Sequence, residues 1–239
     1  MNAIEITNLT KKYKNITAVN NVTLNIEENK LISILGTNGA GKTTIIKILS
    51  TLIEKTSGNI KVFNMDIEKD KMKIKEIINI SPQETAIAQN LTVIENLYFM
   101  AGIYQIKNKE EKINQLIKTF NLKEILKQKA STLSGGWQRK LSIALALINN
   151  PKILFLDEPT LGLDVIARKE LWNIIENLKK EKTIILTTHY MEESYRLSDK
   201  IAIMNKGKLL EVDKPSKIIE KTKTNNFEDA FLKVIEKGE

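Results

Sequence analysis

Along the 239 residues, apolar and polar positions change period several times. Residues 3–8 and 22–26 alternate, the period of a strand with one buried face, and predict antiparallel strands. Leu31-Ile32-Ser33-Ile34-Leu35 is a nearly continuous apolar run that ends at Gly36. A strand covered on both faces of a parallel sheet reads this way. Over 43–52 the spacing becomes helical, carried by Ile45, Ile46, Ile48 and Leu49. Residues 77–80 predict a further strand, closed by Ser81-Pro82-Gln83. Residues 84 to 150 then read as helical. Thr92 and Glu95 form a capping-box pair, Leu116, Ile117 and Phe120 keep helical spacing, and 141–147 is apolar on several faces. Strand character returns at 152–156 and 183–187, around a helix marked by Leu171, Ile174, Ile175 and Leu178. Residues 201–210 predict a hairpin turning at Gly207. A final amphipathic helix carries Phe227, Ala230, Phe231, Val234 and Ile235. Strands alternating with helices predict an α/β sheet, here interrupted by a helical insertion over 84–151.

Composition narrows the class. The chain is long enough for one sizeable core. No apolar run approaches the roughly 18–20 residues that span a bilayer, and residues 1–6 lack the basic and apolar regions of a secretory signal. A cytosolic chain, held at a membrane only through a partner, is the expectation. Cysteine is absent, which excludes disulfides and thiolate chemistry. The net charge of +8 raises a nucleic-acid or anionic-membrane partner. Against this, the lysines are interspersed with glutamates, as at 107–112 and 176–182, the pattern of a solvated surface.

Candidate chemistry begins at Gly36-Thr37-Asn38-Gly39-Ala40-Gly41-Lys42-Thr43, which fits G-x-x-x-x-G-K-[ST] between a predicted strand and a predicted helix. Gly39 and Gly41 allow backbone N–H groups to approach phosphate oxygens, and the helix N-terminus adds partial positive charge. Lys42 reaches the β- and γ-phosphates, Thr43 ligates Mg²⁺, and Thr44 adds a contact on the α-phosphate side. Asp157 closes an apolar strand and is the expected Mg²⁺-side acid; Glu158 follows it, positioned to polarise a water.

Gly36 to Thr43, Gln83, Leu133-Ser134-Gly135-Gly136, Leu156-Asp157-Glu158-Pro159, Leu163-Asp164 and His189 occur in the order and approximate spacing of an ATP-binding cassette (ABC) ATPase. The resemblance covers about residues 3–220. It implies a P-loop NTPase (RecA-like) core sheet with an antiparallel β subdomain and an inserted α-helical subdomain. The core would comprise 1–83 and 152–223, the helical subdomain 84–151, and a C-terminal helix 224–239. ATP and Mg²⁺ are the implied ligands. Gly36, Asn38, Gly39, Ala40, Gly41, Lys42, Thr43 and Thr44 would hold the nucleotide, with Tyr13 stacked on adenine. Thr43, Gln83 and Asp157 would serve the metal, and Gln83, Glu158 and His189 the catalysis. Ser134, Gly135 and Gly136 resemble the signature that contacts ATP held by a second subunit, and Asp164 the aspartate at the dimer seam. One departure stands out: Trp137 holds the place where the signature usually has Gln, and Gln138 follows. The backbone anion site at the helix N-terminus needs no Gln side chain; a weakened half-site is the alternative.

The segment Pro159-Thr160-Leu161-Gly162-Leu163-Asp164, the His189-Tyr190-Met191-Glu192-Glu193 stretch and the C-terminal Phe227 to Leu232 are similar to ATPase subunits of prokaryotic ABC-2-type exporters, which include multidrug, antibiotic and sodium efflux systems. The implied partners are an integral membrane permease and a second ATPase subunit, a homodimer being the simplest case, with no nucleic acid. The implied place is the cytoplasmic face of the membrane. Over 92–104 the apolar residues are wider than one stripe. Two readings follow, a dock for a permease helix or a helix sandwiched inside the insertion. A soluble ABC ATPase acting on nucleic acid or ribosomes is the alternative function.

Overall fold

The computed structural model describes residues 1–238; Glu239, the last residue of the expected C-terminal helix, lies outside the described residues. Strands β1 (Asn2–Tyr13) and β2 (Ile16–Glu27) pair antiparallel and run well beyond the two predicted segments. They join β4 (Ser57–Val62) and β5 (Met65–Asp66) in a four-stranded sheet of order β2-β1-β4-β5. The last two strands were not anticipated. In β4 the alternation is real but short: Ile60 and Val62 are buried while Asn59 and Lys61 are exposed.

The larger sheet has the order β10-β9-β3-β8-β7-β6. Its members are β3 (Leu31–Gly36), β6 (Ile78–Ser81), β7 (Ile153–Asp157), β8 (Thr183–Thr188), β9 (Lys200–Asn205) and β10 (Lys208–Asp213). All neighbours run parallel except β9 and β10, the predicted hairpin. Lys206 and Gly207 both have positive φ at its two-residue turn, the geometry whose twist matches the flanking strands. β3, β7 and β8 are buried at every position, which explains their unbroken apolar runs.

Helix α1 (Lys42–Leu49) follows β3, and α2 (Lys71–Ile77) precedes β6. The insertion contains α3 (Val93–Ile103), α4 (Lys109–Thr119) and α5 (Gly135–Ala146). The predicted helical stretch is corrected at its start, because residues 84–91 are irregular. There the Asn96 side chain accepts from Ala88 N (2.8 Å) and donates to the carbonyls of Ala88, Leu91 and Thr92, replacing helical bonds. Helix α3 then starts on the anticipated capping box of Thr92 and Glu95. The remaining helices are α6 (Val165–Leu178), α7 (Met191–Leu197), α8 (Pro215–Thr222) and α9 (Phe227–Lys237).

Successive residues of β7 serve opposite faces. Leu154 and Leu156 join Val93, Leu97, Phe120, Leu133, Leu141 and Trp172 beneath the helical insertion. Ile153 and Phe155 join Ile34, Ile45, Ile46 and the β1–β2 residues on the other face. The insertion therefore shares its core with the sheet. Phe120 is fully buried in that shared cluster, so Phe120→Ala should cost about 3–5 kcal/mol. Calorimetry should show one transition, moved to lower temperature; a separate early transition of the insertion would contradict a shared core.

Candidate functional site

Gly36 ends β3, and the loop that follows is clamped from two sides. Ala40 O accepts from Gly207 N (3.1 Å), and Gly207 O accepts from Asn20 N (2.8 Å). This ties the loop to the β9–β10 turn and to β2. A Cβ on Gly36 would meet Met204 O at 2.3 Å, and one on Gly41, whose φ is +99°, would meet Ala18 O at 2.3 Å. Both positions need glycine, the first for close approach and the second also for its backbone conformation. Gly41 is the N-cap of α1 and offers no side-chain cap, and no acid stands in the first turn. The first-turn N–H groups, which have no intrahelical acceptors, therefore face the loop's hollow.

Lys42, Asp157 and Glu158 are all buried at this edge of the sheet. Lys42 Nζ donates to Gly36 O (2.8 Å) and Thr37 O (3.2 Å) and lies 3.4 Å from Glu158 Oε1. Asp157 Oδ1 accepts from Thr43 Oγ1 (3.1 Å) and Thr187 Oγ1 (2.5 Å). Glu158 Oε2 is 2.9 Å from His189 Nδ1. Glu158 sits in the left-handed region, φ 48°, with its N–H on both Thr187 O and Thr187 Oγ1 at 3.1 Å. That turn lifts its carboxylate off the end of β7 toward Lys42 and His189.

A cleft of about 620 Å³ opens here, lined by Tyr13, Ala18, Asn38 to Thr44, Gln83, Glu158, Leu161 and His189. One hollow thus gathers Tyr13, Gln83, the loop, Glu158 and His189 from five separate stretches of sequence. Tyr13 is half exposed, with Lys11 Nζ 4.9 Å from its ring centroid. A larger cleft, about 820 Å³, lies around Lys30, Leu31, Asp199 and Lys217. It contains none of the motif residues, so size alone does not locate the chemistry.

Thr43 and Asp157 supply hard oxygen donors on one side of the cleft. Mg²⁺ takes one or two such protein oxygens and completes its shell with phosphate and water. Among the described residues no group of three His, Cys, Asp or Glu forms a metal cage, so a metal here would be held jointly with a nucleotide. Those donors fit Mg²⁺ on that condition.

Ser134, Gly135 and Gly136 are not brought to this cleft. Ser134 is the N-cap of α5, extended and without a side-chain cap bond, and Ser134 and Gly135 are exposed. Trp137 packs partly against the shared core, with Lys140 Nζ 4.3 Å from its ring centroid and 2.6 Å from Glu170. Asp164 also lies apart. It caps α6, accepting from Ile166 N and Ala167 N at 2.9 Å, and the Ala167 N–H above all holds its carboxyl below the usual range.

Sequence reasoning named neither Thr187 nor Glu193 as site residues. A threonine at the end of an apolar strand, level with Asp157, was the available signal for the first. Glu193 on α7 accepts from Trp172 Nε1 (2.9 Å) and is fully buried. Burial raises its pKa. Its Oε2 has no partner of good geometry, though the Thr188 and Thr160 hydroxyls are near enough to offset part of that rise.

The model of the ABC transporter family matches residues 19–161, more than half of the chain. The chain belongs to the ABC transporter family. Over 212 residues it is 39% identical to the phospholipid-transporting ATPase ABCA3 of Homo sapiens, covering 86% of this chain and 12% of that protein. Over 240 residues it is 33% identical to the probable multidrug ABC transporter ATP-binding protein YbhF of Escherichia coli (strain K12), covering 97% of this chain and 41% of that one. The chain thus spans less than half the length of these curated relatives. The dimeric ATP-binding cassette MJ0796, solved in a post-hydrolysis state with ADP and Pi, superposes with a TM-score of 0.80 at 28% identity, covering 88% of this chain and 98% of that one. The fold is that of an ABC ATPase, and the chain is an ATPase of that class. No helix among the described residues is long and apolar enough to cross a membrane.

Within this ABC cassette, Glu193→Gln tests the burial cost. A carboxyl whose folded pKa exceeds its unfolded value of 4.5 loses no stability below 4.5. It loses progressively more as pH rises toward the folded value, and the full amount above it. Gln keeps an acceptor for Trp172 and removes the titration. The variant's gain in melting temperature should therefore grow from pH 5 to pH 8; a gain independent of pH would contradict the assignment.

Proposed function

We propose that this chain is the ATP-binding and ATP-hydrolysing subunit of an ABC-type membrane exporter, coupled to a separate permease and driven by ATP-dependent dimerisation. The carrying observation is the convergence of Lys42, Glu158 and His189 in a cleft whose floor is the phosphate loop. Tyr13 stacks on adenine, as its half-exposed position at the cleft wall favours. The phosphates lie on the N–H groups of the loop and of α1. Lys42, now bonded to Gly36 O and Thr37 O, turns its ammonium to the β- and γ-phosphates. Thr43, Asp157 and Gln83 would hold Mg²⁺, which would neutralise charge on the phosphate oxygens.

Glu158 orients a water in line with the γ-phosphorus. The water oxygen bonds to phosphorus, the bond to the β–γ bridging oxygen breaks, and the water proton passes to Glu158 and on to bulk solvent. ADP and phosphate are released. His189 fixes the Glu158 carboxylate and faces the γ-phosphate. The second half of the site comes from a second copy: Ser134, Gly135 and Gly136 present an exposed helix N-terminus that suits the γ-phosphate of ATP on the opposite subunit. Asp164 lies at that seam. Closure is then a population shift set by the γ-phosphate. The dimeric state of MJ0796 supports this reading.

The exporter assignment rests on the likeness to YbhF, a probable multidrug transporter component, and to ABCA3, a phospholipid transporter. The permease contact is assigned to α3. Val93, Leu97 and Ala101 are buried, which accounts for one stripe, whereas Tyr98, Phe99 and Ile103 remain 42%, 55% and 57% exposed. This surplus favours the docking reading over a helix enclosed in the insertion. Positive charge is spread through ion pairs such as Lys200–Glu27 and Lys140–Glu170, which favours the exporter over a nucleic-acid partner.

Glu158→Gln should retain Mg-ATP, accumulate as a dimer on size-exclusion chromatography with ATP, and turn over at least about 100-fold more slowly. A variant that stayed monomeric and hydrolysed at the parental rate would refute the mechanism. Phe99→Glu should leave ATP binding intact and abolish co-purification with the permease from membranes; retained assembly would remove α3 from the interface.

A further inference from the structure

Arg139 lies one turn into α5, four residues beyond Gly135, and is 5% exposed. Its guanidinium forks onto two consecutive carbonyls, Nη1 to Pro82 O and Nη2 to Gln83 O, each at 2.6 Å. These carbonyls lie just past the end of β6, where the chain leaves the sheet for the irregular segment 84–91. Among the described residues, no other hydrogen bond holds the backbone of 82–84. Pro82 has no N–H to offer, and the β6–β7 ladder ends just before it, at Ser81. The position of the Gln83 side chain in the cleft therefore depends on a residue of the helical insertion.

We propose that Arg139 is a positioning residue for ATP hydrolysis, which sets the Gln83 amide in the catalytic cleft by gripping its backbone. This rests on the reading of Gln83 as a residue that serves the metal and the attacking water. The same helix presents Ser134, Gly135 and Gly136 at its N-terminus, one turn away. A displacement of α5 is then transmitted to Gln83 through two short, charge-assisted bonds and no flexible linker. Burial pulls the guanidinium's pKa down, and the carboxylates of Asp157 and Glu193 oppose that pull. A lysine keeps the charge but not the planar fork: its ammonium can reach two carbonyls, as that of Lys42 does, without fixing their orientation.

The test is a double-mutant cycle of Arg139→Lys and Gln83→Ala, with kcat, ATP affinity by equilibrium binding, and melting temperature measured for each. Arg139→Lys should lower kcat at least about tenfold while changing ATP affinity less than about threefold. In the Gln83→Ala background it should produce no further loss, because both changes remove one function. A purely structural role would lower the melting temperature and multiply the losses. Unchanged kcat in Arg139→Lys, or independent losses, overturns the proposal with the Gln83 reading intact. Normal kcat in Gln83→Ala removes that reading and the proposal with it. Should Arg139→Lys not fold, Arg139→Gln, which keeps an amide donor and leaves no buried cation, enters the same cycle.

Discussion

Lys42, Asp157 and Glu158 are buried together at the carboxyl edge of a parallel sheet, and that constraint organises the rest of the site. A buried charge without partners is costly enough to unfold a marginally stable domain. Here the partners arrive from different elements: carbonyls of the phosphate loop, Thr43 from α1, Thr187 from β8 and His189 just after it. They meet because β3, β8 and β7 lie side by side in fixed register, with Leu35 level with Thr188 and Asp157 level with Thr187. A slip of one residue in β7 would turn Asp157 to the other face of the sheet. The apolar runs that bury these strands thus also set the distances within the site.

The phosphate loop and the Asp157–Glu158 pair were legible in the sequence because each is local. A glycine-rich loop between a strand and a helix, or an acid closing an apolar strand, carries its context with it. The parallel strands, the capping box at Thr92 and the Gly207 turn were legible for the same reason. The four-stranded sheet was half legible: β4 alternates over too few residues, and β5 spans only Met65–Asp66. Residues 84–91 misled because their composition is helix-compatible, while the bonds that hold them come from Asn96 further along the chain. Arg139, Thr187 and Glu193 act through contacts between elements distant in sequence, which no local pattern encodes.

Helix α3 and helix α5 together make the insertion a lever on the cleft. Asn96 staples the segment after Gln83 to α3, and Arg139 grips Pro82 and Gln83 from α5. The exposed Tyr98, Phe99 and Ile103 stand on that same α3. A partner that pushes on α3 therefore acts on a segment whose other end carries Gln83. The shared hydrophobic core beneath the insertion limits such movement to a tilt of packed elements; wholesale detachment would expose Phe120 and Trp172.

Trp137 is informative about which part of the signature matters. As the third residue of α5 it contributes a first-turn N–H as any residue would, while its ring is occupied by Lys140 and by packing. The neighbouring α6 is capped from within by Asp164, yet α5 has no side-chain cap and no acid in its first turn. Gly136 brings the two helices together so closely that an added Cβ would stand 3.1 Å from Ala167 Cβ. With no cap from its own side chains, the positive end of α5 is left to be satisfied by solvent or by an anion from outside the chain. The γ-phosphate that the proposed second subunit would hold is such an anion, and the backbone geometry that would receive it does not involve the Trp137 ring.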